Sequence, residues 1–251
     1  MGAGAESKTD ERRASLGSIS DRVAPLVLAE ERRFVVSPAL DHLLPDGLKQ
    51  GSVVGTDGVA ALSLGLAVAA GPVESGSWVA TIGCDELNAV AAEQAGVNLH
   101  RMILVAQPPR DNWGSVAAAL IDAFDVILIS GRYPIRSRDA SRLTARVRER
   151  GGVIIDVANS WPVVHDLVMR GVDQRWLGLG NGHGAISARE VVVEVSGRRG
   201  VQPREGSLWL PGPQLIPEAA EPESFAGADV EQLVHPPGGN TGASEAGEGG
   251  G

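Results

Sequence analysis

Residues 52–62 read "SVVGTDGVAAL": a β-branched run, two glycines, then small apolar residues. That spacing invites phosphate chemistry. A phosphate-binding loop has the form G-x-x-x-x-G-K-[ST] between a strand and a helix. Its backbone amides cradle the phosphates, its lysine neutralises them, and its hydroxyl holds magnesium. Counted from Gly55, the second glycine position holds Ala60, the lysine position Ala61 and the hydroxyl position Leu62. Ser63 comes one place late. The chain has only two lysines, Lys8 and Lys49, and between Arg33 and Arg101 Lys49 is the only cation. The apolar strand that would end in a magnesium-shell aspartate reads "DVILIS" and ends in Ser130. Two separate pieces of a nucleotide site are missing, so the expectation is no catalytic residue and no cofactor. An ordinary strand-to-helix turn that never bound phosphate fits the same residues. No metal is expected either, because the five histidines are scattered without ligand spacing and Cys84 is the only cysteine.

The second chemical feature is "GRYPIRSRDASRLTARVRER", residues 131–150, which holds seven arginines. Arg142, Arg146 and Arg150 recur every four residues and so share one helix face. With Arg132, Arg136 and Arg138 they form a candidate surface for DNA phosphates or an acidic partner, each phosphate contact adding salt-dependent affinity. A solvated outer helix face accounts for the same charges. Ala140, Leu143, Ala145 and Val147 are expected to face inward.

Two further segments could recruit partners. In "ESFAGADVEQLVHPP", Phe225, Val230, Leu233 and Val234 could line one side of a short docking helix, though a plain disordered linker is the reading the composition favours. In the arm "RRFVVSPALDHLL", Leu40, Leu43 and Leu44 are anchors either for another protomer or for the chain's own core.

The elements that must position these residues follow from periodicity. From Gly51, short apolar runs alternate with helical segments: "SVVG", 59–70, "SWVATIG", "DELNAVAAEQAG", "RMILVAQPP", "DNWGSVAAALIDAF", "DVILISG", "RDASRLTARVRERG", "GVIIDVA". Asp85 is expected to cap the second helix, and Asp111 or Asn112 the third. Repeated strand–helix units with near-continuous apolar strands predict an α/β fold with a mostly parallel sheet covered on both faces. Beyond Trp161, "RWLGLGNGHGAISAREVVVEVSG" and "GSLWLPG" predict short antiparallel strands at the sheet's C-terminal edge. The expected organisation is a flexible segment and arm over 1–37, a folded domain over 38–213 and a disordered acidic tail over 214–251. The chain has 251 residues and a net charge of −9. Seven acids and no Lys or Arg lie from Pro211 onward (Glu218, Glu221, Glu223, Asp229, Glu231, Glu245 and Glu248), so the body is close to neutral. The apolar stretch 53–73 is not expected to span a membrane. Asp57 lies inside it, and a carboxylate in the bilayer costs about 2.5–3.5 kcal/mol.

The run "LPDGLKQGSVVGTDGVAALSLGLAVAAGPVESGSWVATIGCDELNAVAAEQAGVNLHRMILVAQP", with "AFDVILISG", resembles the RecA superfamily. "DASRLTARVRERGGVIIDVANSWP", "RWLGLGNGHGAISAREVVVEVSGR" and "LWLPGP" are similar to the actinobacterial ImuA-like proteins. The resemblance covers about residues 38–213. It implies a RecA-like domain without catalysis that serves as an accessory of an SOS-induced mutasome. The implied partners are an ImuB-like inactive Y-family polymerase homologue and an error-prone C-family DNA polymerase, with DNA or RecA as further candidates. The implied setting is the cytoplasm, at the nucleoid after DNA damage. Asp85 falls near the place of a catalytic glutamate in RecA proteins, and "GRYPIRSR" near a DNA-facing loop. Two rivals are a SulA-like division inhibitor, which shares a RecA-type fold without the phosphate loop, and an atypical RecA-like ATPase.

Overall fold

The structure is a computed structural model that describes residues 32–130, 135–157, 161–179, 184–198, 201–212 and 217–220. Ser130 closes its strand, but its side chain lies outside the described residues, as do Arg132 and the tail residues Phe225, Val230, Leu233 and Val234.

Short β-branched runs make the strands. β3 (Ser52–Gly58), β4 (Val79–Ile82), β5 (Met102–Val105), β6 (Val126–Ser130) and β7 (Val153–Val157) are all parallel to their neighbours, and β8 (Leu167–Leu179) joins them by pairing parallel to β3. β9 (Gly184–Gly197), β10 (Arg204–Trp209) and β11 (Glu218–Ala220) then continue the sheet antiparallel. The order across the nine strands is β11-β10-β9-β8-β3-β7-β6-β4-β5. A separate ribbon joins β1 (Arg33–Phe34) to β2 (Leu48–Lys49).

Alternation along the strands divides the core in two. Val54, Leu128 and Ile155 face α1 (Ala61–Glu74) and α2 (Ala89–Gln94). Val53, Ile129 and Ile154 face α3 (Trp113–Ala123) and α4 (Ser137–Arg150). Both faces of the parallel strands are thus covered, which is why their sequences are apolar without a polar side. α1 is buried almost all round, from Leu64 through Val73, between the sheet and the segment near Val36–Leu44. Its lack of a polar face belongs to a core helix. No helix among the described residues is long and apolar enough to cross a membrane.

Several expectations need correction. α1 does not stop before Pro72 but carries it in its last turn, where the Val68 carbonyl goes without an amide donor from residue 72. α2 starts four residues after Asp85, and its cap is Asn88, whose side chain accepts the Ala91 amide at 2.8 Å. Asp85 is therefore not the cap. Asn112 occupies the cap position of α3, but its side chain makes no capping bond. β8 and β9 are not short: they have 13 and 14 residues and pair along most of their length. The folded body also passes the expected boundary at 213, because residues 218–220 pair with β10. At the other end, the ribbon strand at 33–34 and the buried Val36 bring part of the 1–37 segment into the fold.

Candidate functional site

The parallel strands end along one edge, where loops and helix starts meet, and there the site must be sought. β3 runs through Gly55 and stops only at Gly58, and α1 begins at Ala61. Gly55, the first glycine of the loop reading, lies inside the strand, opposite Asp156 on β7 and Val168 on β8. Only Val59 and Ala60 connect strand to helix. The Val59 amide donates to the Gly171 carbonyl on β8 at 2.9 Å. Gly58 is left-handed, with φ 73°, and a Cβ there would sit 2.1 Å from the Gly171 carbonyl oxygen. A Cβ on Gly171 would sit 1.9 Å from the Val59 carbonyl oxygen. Backbone from two strands is thus pressed together where a phosphate loop would open. Ala60 is left-handed too, with φ 61°, and has no side chain to cap the helix. Ala61 and Leu62 are half-buried against the core.

Cations do reach this corner, and they come from β8 and β9. Arg170 lies 3.2 Å from the Asp57 carboxylate at the end of β3. Arg189 donates from Nη2 to the Ser63 hydroxyl at 2.6 Å and from Nε to the Leu210 carbonyl at 2.8 Å. Its guanidinium lies 4.9 Å from the centre of the Trp176 ring, within cation–π range. Burial pulls the Arg189 guanidinium below its ordinary value. Ser63, the hydroxyl that came one place late, is thereby engaged as an acceptor. On the other face of the same two strands, Arg175 on β8 pairs at 3.0 Å with Glu190 on β9, which is fully buried.

A second polar cluster lies on the opposite face, under α4. Asp156 on β7 is fully buried; its Oδ2 accepts the Trp161 amide at 2.6 Å and Nε2 of His165 at 2.9 Å. Nε1 of Trp161 donates to the Thr144 hydroxyl at 3.2 Å, and the Trp161 ring lies 6.0 Å from that of Trp113. None of these residues stands out by motif or spacing in the sequence. The cluster's one signal is the aspartate within the apolar run "GVIIDVA", one strand beyond the one that ends in Ser130. The carboxylate ties β7 to Trp161 and His165, and that use satisfies a buried charge.

The arginine helix forms as expected, ending on left-handed Gly151. Its stripe is not a free row of cations. Arg146 makes a paired contact with Asp122 of α3, Nε and Nη2 each at 2.5 Å, and Arg150 donates to the Asp122 carbonyl. The Arg146 contact holds the Asp122 carboxyl below its usual range. Arg142 lies 3.9 Å from Asp139 one turn away. Arg136 holds the cap position and, with Arg138, is exposed. Ala140, Leu143 and Val147 are buried as expected, but Ala145 is exposed and Thr144 takes the inward place. Leu40, Leu43 and Leu44 belong to the chain's own core, at 0–6% exposure, so they are not anchors for another protomer.

Comparison with known proteins extends this picture. The family described as MT3502 N-terminal domain matches residues 42–163. A protein of Mycobacterium tuberculosis (strain ATCC 25618 / H37Rv), described as uncharacterized protein Rv3395c, is 32% identical over 111 residues. That alignment takes in 43% of this chain and 53% of the relative, so the chain spans about half the length of the curated protein it matches. Among solved structures, the crystal structure of the RadB recombinase superposes with a TM-score of 0.51 at 17% identity. It covers 73% of this chain and 97% of that one. The fold is RecA-like.

Proposed function

We propose that this chain is a non-catalytic RecA-fold accessory protein of the ImuA-like kind, acting through its surfaces in an SOS-induced mutasome. The observation that carries the reading is the two-residue turn between β3 and α1. Its Val59 amide is bonded to Gly171, and Ala61 stands where a phosphate-neutralising lysine would. A RecA-like body with that turn keeps the sheet and helices that present surfaces and gives up the loop that grips a nucleotide. Its partners on this reading are an ImuB-like inactive polymerase homologue and an error-prone C-family polymerase, met at the nucleoid after DNA damage. DNA or RecA would be met through the exposed Arg136, Arg138 and Arg142.

The test is reconstitution with purified components. The full chain should form a complex with the ImuB-like protein, and its loss should reduce damage-induced mutagenesis while leaving cell division normal. Filamentation controlled by the chain, without effect on mutagenesis, would instead support the SulA-like reading.

Arg189 beside Ser63 favours one alternative, an atypical nucleotide binder in which an arginine from β9 replaces the loop lysine. Incubation with labelled ATP and magnesium separates the two. Saturable micromolar binding, lost in an Arg189→Met variant that still folds, would overturn the non-catalytic reading.

A further inference from the structure

A recess of about 250 Å³ lies between α2, the first turn of α1 and the paired strands β8 and β9. Trp176 and Arg189, directly opposite each other in the β8–β9 ladder, both line it. Ala91, Leu210 and Pro211 give it apolar walls, and Gln94 and Ser187 add polar edges. Ser187 and Arg189 are alternate residues of β9, so they share one face of the sheet. Trp176 is 39% exposed, a large apolar surface left in solvent beside a cation.

That cation is short of an anion. Arg189 donates from Nε to the Leu210 carbonyl and from Nη2 to the Ser63 hydroxyl, and both acceptors are neutral. A guanidinium has more N–H donors than those acceptors take. Among the described residues no carboxylate lines the recess and none pairs with Arg189. Burial lowers its pKa, and no neighbouring acid offsets that. Arg175, on the other face of the same strands, has Glu190 for its partner. The start of α1 adds positive potential, since its first turn holds no acid and no side chain caps it. A half-buried cation without counter-charge, beside an exposed indole, suits an anion joined to an apolar group. One guanidinium matches one carboxylate, whereas a triphosphate would bring several negative charges to it. The volume falls below the roughly 300–1,000 Å³ of pockets that take whole small ligands, and it suits one or two side chains. Trp and Arg are also the residues on which protein contacts concentrate their binding energy.

We propose that this recess docks a segment of a partner protein in which Asp or Glu stands next to an aromatic or aliphatic residue. The carboxylate takes the remaining N–H groups of Arg189, and the apolar side chain lies on Trp176 and Pro211. The assignment rests on the accessory reading above, for which it supplies the surface that meets a partner.

Panning a library of random displayed peptides against the full chain tests this. Ser187→Glu is the deciding variant: position 187 is exposed, and the introduced carboxylate would occupy Arg189 from two residues away on the same face. Gln94→Glu does the same from α2, and thermal unfolding checks that both variants fold. Recovered peptides are expected to carry the acid next to an apolar residue. They should bind at least about tenfold more weakly to Ser187→Glu and to Trp176→Ala. Replacing the peptide's acid by its amide should cost as much on the unmodified chain and nothing further on Ser187→Glu. Recovery of no peptide that needs the recess, or binding indifferent to these substitutions, would overturn the proposal. Saturable binding of magnesium ATP that Ser187→Glu abolishes would make the recess a nucleotide site and overturn it too. The purified ImuB-like protein keeps the two readings apart. If selected peptides need the recess but that protein binds Ser187→Glu undiminished, the docking site stands and the partner named for it falls. If the complex forms and no peptide needs the recess, the accessory reading stands and this site falls.

Discussion

Arg189 and Ser63 stand 126 residues apart in the chain, yet the guanidinium Nη2 donates to the serine hydroxyl at 2.6 Å. The contact ties the antiparallel extension of the sheet to the first turn of α1, and Trp176 flanks the same guanidinium. Arg189→Lys keeps the charge but loses the planar fork that reaches Ser63 and Leu210 together. We expect it to lower stability by about 1–2 kcal/mol, read as a shift in the urea midpoint. Ser63→Ala should cost less, because the Leu210 carbonyl and the Trp176 ring remain.

The approach of Gly171 to Val59 is a stricter constraint. A methyl on Gly171 would lie 1.9 Å from backbone oxygen, which no rotamer change relieves. Gly171→Ala should displace β8 from the end of β3 and cost more than about 4 kcal/mol, or prevent folding altogether. Thermal unfolding of the purified variant is the measurement. An unchanged midpoint would mean that the strand-to-helix corner is not closed in this way.

The strands and α4 were legible because local composition decides them. β-branched runs bounded by glycine leave few alternatives to "VATI" or "VIIDV" as buried parallel strands, and Gly151 marks the end of α4. The corner by α1 was not legible. Lys49 is the only cation in its sequence neighbourhood, so no local window offers the loop a positive charge. Arg170 and Arg189 arrive there through pairings of β3 with β8 and of β8 with β9, which no local window contains. The start of α2 was missed for a different reason. Asp85 and Asn88 are both good caps, and only packing at Leu87 and Ala92 decides between them. Pairing also decides residues 218–220, whose composition reads as tail.

Ala60 offers a test of how much strain the shortened connection holds. It is the only residue other than glycine with positive φ among the described residues, and it stands at the second glycine position of the phosphate-loop pattern. A Cβ in the left-handed region costs roughly 1–2 kcal/mol. Ala60→Gly should therefore stabilise the chain by about 1 kcal/mol, with the added freedom of the unfolded glycine taking back part of the gain. Ala60→Val should destabilise it, because a branched Cβ fits that conformation worse. Paired denaturation curves with equal slopes would check both.

Asp122 gives the pH dependence of the contact between α3 and α4. Its carboxylate is hydrogen-bonded by Arg146, and this holds its pKa below the ordinary 3.8. A group whose folded value is depressed adds stability at pH values above its unfolded value and loses it as the pH falls through the folded value. The unmodified chain should thus be more stable than Asp122→Asn at neutral pH. The difference should begin to shrink near pH 4 and vanish below the folded value, where both side chains are neutral. Arg150 is not part of that difference, since it bonds the Asp122 carbonyl, which the substitution keeps. The pair is exposed, so molar salt at pH 7 should narrow the gap as well. Urea titrations of both proteins across pH 2–7, at low and high salt, measure it. A gap that stayed constant to pH 2 would mean that the Arg146 contact does not depend on the charge of Asp122.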